Sequence, residues 1–272
     1  MTAGPPSVDP ADGLPVLEVG PWSAEKHDYL RRYISATRAA RARFLPPAGP
    51  GGAAFIDLFA GPGRARVRGR EEIIDGSPLI AAHHAEARFT HILLCELDAA
   101  HAAALRQRLA GDARVQVFEG DCNDQVDRIV AAIPHHGLNL ALIDPFGVTP
   151  LRFETLAKLA RFERMDILLH FPTNDLVRNL RRHPDRVSAF LGTETWRRSV
   201  SAPRDVPKLR DILREQLLPF GYQKAEIFHE PLLRNTKSAP LYHLVLIAKH
   251  GLAGQIWQSV IRTEGSGQKR LF

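Results

Sequence analysis

The sequence predicts an α/β protein: a doubly wound, mostly parallel, Rossmann-like sheet with helical insertions and an antiparallel C-terminal hairpin. Three observations predict it. Four successive apolar runs, at 55–59, 91–98, 115–121 and 138–144, each contain or end in a carboxylate: Asp57, Glu96 with Asp98, Asp121, and Asp144. Helical stretches at about 98–110, 122–133 and 150–162 alternate with these runs and with a fifth at 166–171, which is the βαβ alternation of a parallel sheet. The first run passes straight into Ala60-Gly61-Pro62-Gly63, a turn whose glycines tolerate positive φ and let a ligand approach the backbone. In such sheets ligands sit outside the carboxyl ends of the strands, so the acids are expected to converge on one crevice.

The elements follow in order. Residues 1–20 are rich in Pro, Asp and Gly without periodicity and are expected as a flexible arm. Residues 21–264 are read as one domain and 265–272 as a frayed polar tail. The spacing of Tyr29, Leu30, Tyr33, Ile34 and Thr37 suits an amphipathic helix over 23–44, stopped by Pro46-Pro47. An Arg-rich insertion occupies about 64–73, and Ser77-Pro78 signals a helix start for 77–87. A fifth strand at 166–171 leads into the polar loop Pro172-Thr173-Asn174-Asp175. Asn174 and Asp175 are either substrate contacts at a strand end or the cap of the following helix. A helical insertion covers about 175–220, including a helix at 207–218, and strands at 225–230 and 241–249 form the closing hairpin.

The chemistry is narrowed by what is missing. Arg64-Ala65-Arg66 follows the glycine turn where a phosphate-binding loop needs Lys-Ser/Thr, and only Gly61-x-Gly63 stands where a dinucleotide fold needs three glycines. Two cysteines, Cys95 and Cys122, are too few for a disulfide framework, a zinc site or a cluster. The pairs His83-His84 and His135-His136 point their rings apart on any regular element, so no metal site is expected.

The order of acid plus glycine turn, then Glu, Asp, and Asp-Pro-aromatic resembles the class I S-adenosylmethionine-dependent methyltransferases. The resemblance implies that Asp57, Phe59, Gly61 and Gly63 face the methionine half of S-adenosyl-L-methionine. Glu96 would then meet the ribose hydroxyls, with Asp98 the weaker candidate, and Asp121 and Cys122 would lie by the adenine. Asp144-Pro145-Phe146-Gly147 resembles the Asp/Asn-Pro-Pro-aromatic element of amino-methyltransferases, and more closely the Asp-Pro-Phe-Gly of tRNA guanine-N2 dimethyltransferases. It implies that Asp144 and the Pro145 region accept hydrogen bonds from an amine and that Phe146 stacks on a base. Gly147 stands where the usual element has its aromatic residue, which loosens the stacking role.

Over its length the chain also resembles the three-Cys-motif partner (TcmP) family. The segments are Trp22-Ser23-Ala24-Glu25-Lys26-His27 with Leu30 and Tyr33, then 55–63, 75–81, Asp144-Pro145-Phe146-Gly147 and 242–250. This likeness implies a helix over the cofactor cleft with Lys26 facing inward, and a three-Cys-motif protein of radical-S-adenosylmethionine type as partner. By composition alone Lys26 is equally a surface residue.

A net charge of +6 and a pI near 9.6 suit a polyanionic partner such as nucleic acid. Basic clusters are candidates: Arg64, Arg66, Arg68 and Arg70; Arg178, Arg181, Arg182, His183 and Arg186; and, soon after, Arg197 and Arg198. The alternative is a solvated arginine-rich surface. No apolar run reaches the roughly 20 residues that span a bilayer, and no basic-then-apolar leader opens the chain, so a cytoplasmic protein is expected. The leading expectation is a methyltransferase acting on a nucleobase nitrogen. A small-molecule methyltransferase and a cofactor-binding scaffold are the alternatives.

Overall fold

The computed structural model describes residues 7–202, 205–222 and 230–262. The chain runs through β1 (Leu17–Val19), α1 (Trp22–Ala36), α2 (Arg38–Ala42), β2 (Ala54–Asp57), β3 (Arg64–Val67), β4 (Ile73–Asp75), α3 (Ser77–His83), β5 (His91–Glu96) and α4 (Ala99–Arg108). It continues through β6 (Val115–Glu119), α5 (Cys122–Ala131), β7 (Asn139–Ile143), α6 (Phe153–Ala160), β8 (Met165–Phe171), α7 (Thr173–Arg182), α8 (Pro184–Leu191), α9 (Val206–Leu217), β9 (Leu232–Arg234), β10 (Pro240–Ile247) and α10 (Gly251–Arg262).

Seven strands form the main sheet in the order β6-β5-β2-β7-β8-β10-β9, parallel through β8 and antiparallel at β10 and β9. The direction of strand succession reverses between β2 and β7, which makes the crevice above their carboxyl ends the natural ligand site. Both faces of the sheet are covered. Ile56, Leu93, Ala141, Ile143, Ile167 and Leu169 pack toward the α5, α6 and α7–α9 side. Phe55, Ile92, Leu94, Leu140, Leu142 and Leu168 pack toward α1, α3 and α10. Burial on both faces is why these strands read as continuous apolar runs rather than as alternating ones.

Several sequence expectations change in detail. The helix expected at 23–44 divides at Thr37, whose hydroxyl donates to the carbonyl oxygens of Tyr33 at 2.8 Å and Ile34 at 3.2 Å; this local bonding competes with helix continuation. Ser77 is not the cap of α3; Gly76 is, and Ser77 lies in the first turn. The Arg-rich insertion folds as the β3–β4 hairpin, joined by β1 into a small three-stranded sheet. Of the expected strand at 225–230, residues 225–229 lie outside the described residues, as does the tail at 265–272; the hairpin partner of β10 is β9.

The described part of the expected flexible arm, residues 7–20, is instead tied down. Arg64 Nη1 donates to Asp9 at 2.7 Å, and Arg108 donates to Asp12 at 2.9 and 3.0 Å and to the Pro15 carbonyl at 2.8 Å. Low hydrophobicity hid this segment because charged pairing and a short strand hold it, with Val16 its one core residue. Helix α10 was also not anticipated. Its Trp257 is fully buried against Tyr29 and Tyr33 of α1, with ring centroids 5.9 and 5.7 Å apart. That packing holds α1 across the carboxyl edge of the sheet.

Candidate functional site

Five side chains reach one crevice from five elements, and a sixth, Asp57, lies buried directly behind it. Asp57 ends β2, Glu96 ends β5, Asp121 caps α5, Asp144 follows β7, His170 lies near the end of β8, and Tyr242 lies near the start of the antiparallel β10. The crevice has two lobes. One, about 500 Å³, is bounded by Phe59, Gly61, Glu96, Leu97, Asp121 and Cys122, among others. The other, about 120 Å³, includes Lys26, His27, Ser77, Asp144, His170 and Tyr242 in its wall. Leu17, Phe59 and Phe146 border both.

The larger lobe is organised by Glu96. Its Oε2 accepts the Gly61 amide at 2.7 Å and its Oε1 accepts the Asp98 amide at 2.8 Å. Burial works to raise its pKa, but His101 and these two amides prevail and hold it below the usual glutamate range. Gly61 (φ 64°) and Gly63 (φ 90°) occupy the left-handed region, which explains the glycines of the turn. Asp98, the weaker ribose candidate, caps α4 through the His101 amide at 2.9 Å and also borders the lobe. Asp121 caps α5 through the Asn123 amide at 2.8 Å while still bordering the lobe. Burial pushes the Cys122 thiol up to about 12, so it lines the wall as a neutral group. Leu97 and Phe146 are 72% and 82% exposed, two apolar groups standing free at the mouth.

The smaller lobe centres on Asp144. Lys26 pairs with its Oδ2, and His170 Nδ1 lies 2.6 Å from its Oδ1. Burial alone would raise this carboxyl, yet the Lys26 charge and the His170 hydrogen bond hold it well below the usual aspartate range. His170 in turn is pushed down, burial outweighing the carboxylate beside it. Its ring lies over that of Tyr242, centroids 3.6 Å apart and planes at 31°. Asp57 is fully buried; its Oδ1 accepts the Phe59 amide at 3.1 Å. Burial drives its pKa up to about 7, against the Ser77 hydroxyl and the Phe59 amide, which favour the ionised form. His27 is pushed down to about 3 by burial and then by the Lys26 charge, and is therefore neutral.

Lys26 thus does face inward, on a helix held by α10, and its partner is Asp144. His170 and Tyr242 were not singled out as site residues. The available signals were a histidine ending an otherwise apolar strand and a tyrosine opening the last one. Asn174, Arg178 and Arg181 sit on α7 and border neither lobe. Asp175, next to Asn174, caps nothing; it accepts the Val148 amide at 2.9 Å and so anchors the loop after Asp144. Of the first arginine cluster, Arg64 pairs with Asp9 and Arg66 donates to the Val8 carbonyl at 2.7 Å, both turned back onto the N-terminal segment. Arg178, Arg181, Arg182 and Arg186 are exposed. Among the described residues there is no cluster able to hold a metal ion, and no helix is long and apolar enough to cross a membrane.

No protein-family model and no curated protein matches this chain. Solved structures do. Protein LPL1258 from Legionella pneumophila is 12% identical over 88% of this chain and 90% of that one, with a TM-score of 0.51. M. jannaschii TYW2, solved in complex with AdoMet, is 12% identical over 84% and 75%, with a TM-score of 0.42. P. horikoshii TYW2, solved with MeSAdo, is 15% identical over 88% and 70%, with a TM-score of 0.41. At these identities the likeness is one of fold.

Proposed function

We propose that this protein is an S-adenosylmethionine-dependent methyltransferase whose acceptor is a nitrogen on a nucleobase of a nucleic acid. The observation that carries the reading is the meeting of Glu96, Asp121 and Asp144 with the Gly61–Gly63 turn in one two-lobed crevice, with Asp57 buried behind it. The residues fit the cofactor. An ionised Glu96 carries acceptor capacity for vicinal hydroxyls at the larger lobe. Leu97 offers an exposed apolar face for a heterocycle, and the Gly61–Gly63 turn, backed by the buried Asp57, would hold the amino-acid end. When bound, this cofactor supplies a methyl group on a sulfonium, reactive without further activation.

The chain's own contribution is positioning. Asp144, held ionised, keeps free lone pairs on both oxygens and accepts a hydrogen bond from an amine, orienting its nitrogen. Because Lys26 already stands against Asp144, a neutral aromatic amine suits this lobe better than an alkylammonium, which would bring a second cation. The exposed Phe146 ring offers a stacking face for a base. The arginines of α7 and the start of α8 lie beyond that loop and suit a phosphate backbone.

The test is calorimetric titration with S-adenosylmethionine and S-adenosylhomocysteine. Micromolar binding is expected, weakened about tenfold or more by Glu96→Ala and by Asp57→Ala. Asp144→Asn should retain binding and lose methyl transfer to a nucleic-acid pool. Absence of binding by the folded protein overturns the reading. Binding without transfer to any pool would favour the accessory role beside a three-Cys-motif protein that the sequence resemblance implies.

A further inference from the structure

Asp144 has two supports, and only Lys26 was foreseen at this site. The second comes from across the sheet. His170 reaches Asp144 Oδ1 from β8 at 2.6 Å, and Tyr242 lies on the imidazole from β10 at 3.6 Å. The antiparallel pairing places Leu244 opposite His170, so the tyrosine two residues earlier projects on the same face just beyond the end of β8. Tyr242 is 4% exposed and its hydroxyl has no partner. Among the described residues, two buried side-chain polar atoms without a hydrogen-bond partner, His27 Nδ1 and Tyr242 Oη, lie at this lobe. A buried unsatisfied group costs about 1–3 kcal/mol, so their gathering here marks a surface built to meet a ligand.

We propose that His170 and Tyr242 are positioning residues for Asp144: the imidazole fixes one carboxylate oxygen, and the phenol ring fixes the imidazole. This rests on the reading of Asp144 as the group that orients the acceptor amine. The imidazole is neutral with its proton on Nδ1, donating to Oδ1, which sets the carboxylate plane and leaves the remaining lone pairs toward the lobe. The ring of Tyr242 prevents the imidazole from turning about its side-chain bonds. Lys26 supplies the opposing charge, and the flexible lysine stem cannot set the plane by itself. The groups facing Asp144 are Lys26 and His27 from α1, Asp57 from β2, His170 from β8 and Tyr242 from β10.

The experiment titrates the Asp144 carboxyl by carbon-13 NMR of aspartate-labelled protein, its signal assigned by absence in Asp144→Asn. In His170→Leu the Asp144 pKa should rise by about one unit or more through loss of one donor. In His170→Asn, whose amide can donate from the same place, it should stay near the native position. Tyr242→Phe should keep the native titration, and Tyr242→Leu should shift it in the direction of His170→Leu. With an acceptor substrate, His170→Leu should lower kcat by about 10- to 100-fold with little change in KM for the methyl donor, and His170→Asn should recover most of the loss. An Asp144 carboxyl that titrates identically in the leucine variants and the wild type, or that stays ionised to the acid limit of folding in all of them, overturns the proposal. If the protein binds no methyl donor, calorimetry records that separate failure while the carboxyl titration still decides the pairing.

Discussion

Asp175 Oδ2 accepts the Val148 amide at 2.9 Å, so a carboxylate from α7 pins the loop that displays Phe146 beside Asp144. A Cβ added at Gly147 would stand 2.6 Å from the same oxygen. The glycine therefore permits the anchor rather than supplying flexibility. Gly147→Ala is expected to cost about 1–3 kcal/mol by forcing that oxygen aside. In an Asp175→Ala background the same change should be nearly neutral. A double-mutant cycle by urea unfolding measures the coupling, expected at about 1 kcal/mol or more; strictly additive costs would refute the arrangement.

Asp57 makes stability depend on pH in a stated direction. Its folded pKa, about 7, lies above the ordinary 3.8. The folded state therefore holds a proton that the unfolded state has released between those values, and this contribution is complete below the unfolded pKa and lost as pH rises toward about 7. His27, pushed from 6.5 to about 3, opposes it, since its contribution is lost as pH falls below 6.5. The difference between wild type and Asp57→Asn isolates the carboxyl. Relative to the variant, wild type should lose stability from pH 4 to 7; parallel curves would contradict burial of an ionisable Asp57.

The N-terminal segment should behave as part of the fold. Asp9 is 2% exposed and pairs with Arg64, while Leu17 packs on the glycine turn, within 2.9 Å of where a Cβ at Gly61 would lie. Asp9→Ala is expected to destabilise the β1–β3 pairing by about 1–3 kcal/mol. Amide exchange at Leu17–Val19 should quicken with little change in the main sheet. Unaltered exchange would show that the segment is held by something else.

The exposed arginines give a salt-dependent prediction. Arg181→Glu combined with Arg182→Glu should leave thermal stability nearly unchanged, as both side chains are exposed. Affinity for single-stranded RNA or DNA should fall, and the slope of log affinity against log salt should become shallower by about two or more. Equal slopes for variant and wild type would remove this face from the binding surface.

The sequence by itself determined the sheet and which of its ends carries chemistry. Buried parallel strands must be continuously apolar, so an acid at the end of each run, and glycines where the backbone turns into positive φ, are legible without coordinates. Helix starts were legible less well: Ser77 reads as a cap and lies one residue inside the helix because Gly76 already takes the extended conformation there. Only the tertiary structure decided which acids share a lobe and what each one meets. Asp98 and Asp121 look alike beside Glu96 in sequence, and both are helix caps that also border the larger lobe. His170 and Tyr242 are 72 residues apart and become neighbours only through antiparallel pairing of β10 with β8. The protonation of Asp57 and of Asp144 diverged for the same reason. Desolvation acts on both, but Lys26 and His170 come to Asp144 from distant parts of the chain, and no equivalent pair reaches Asp57.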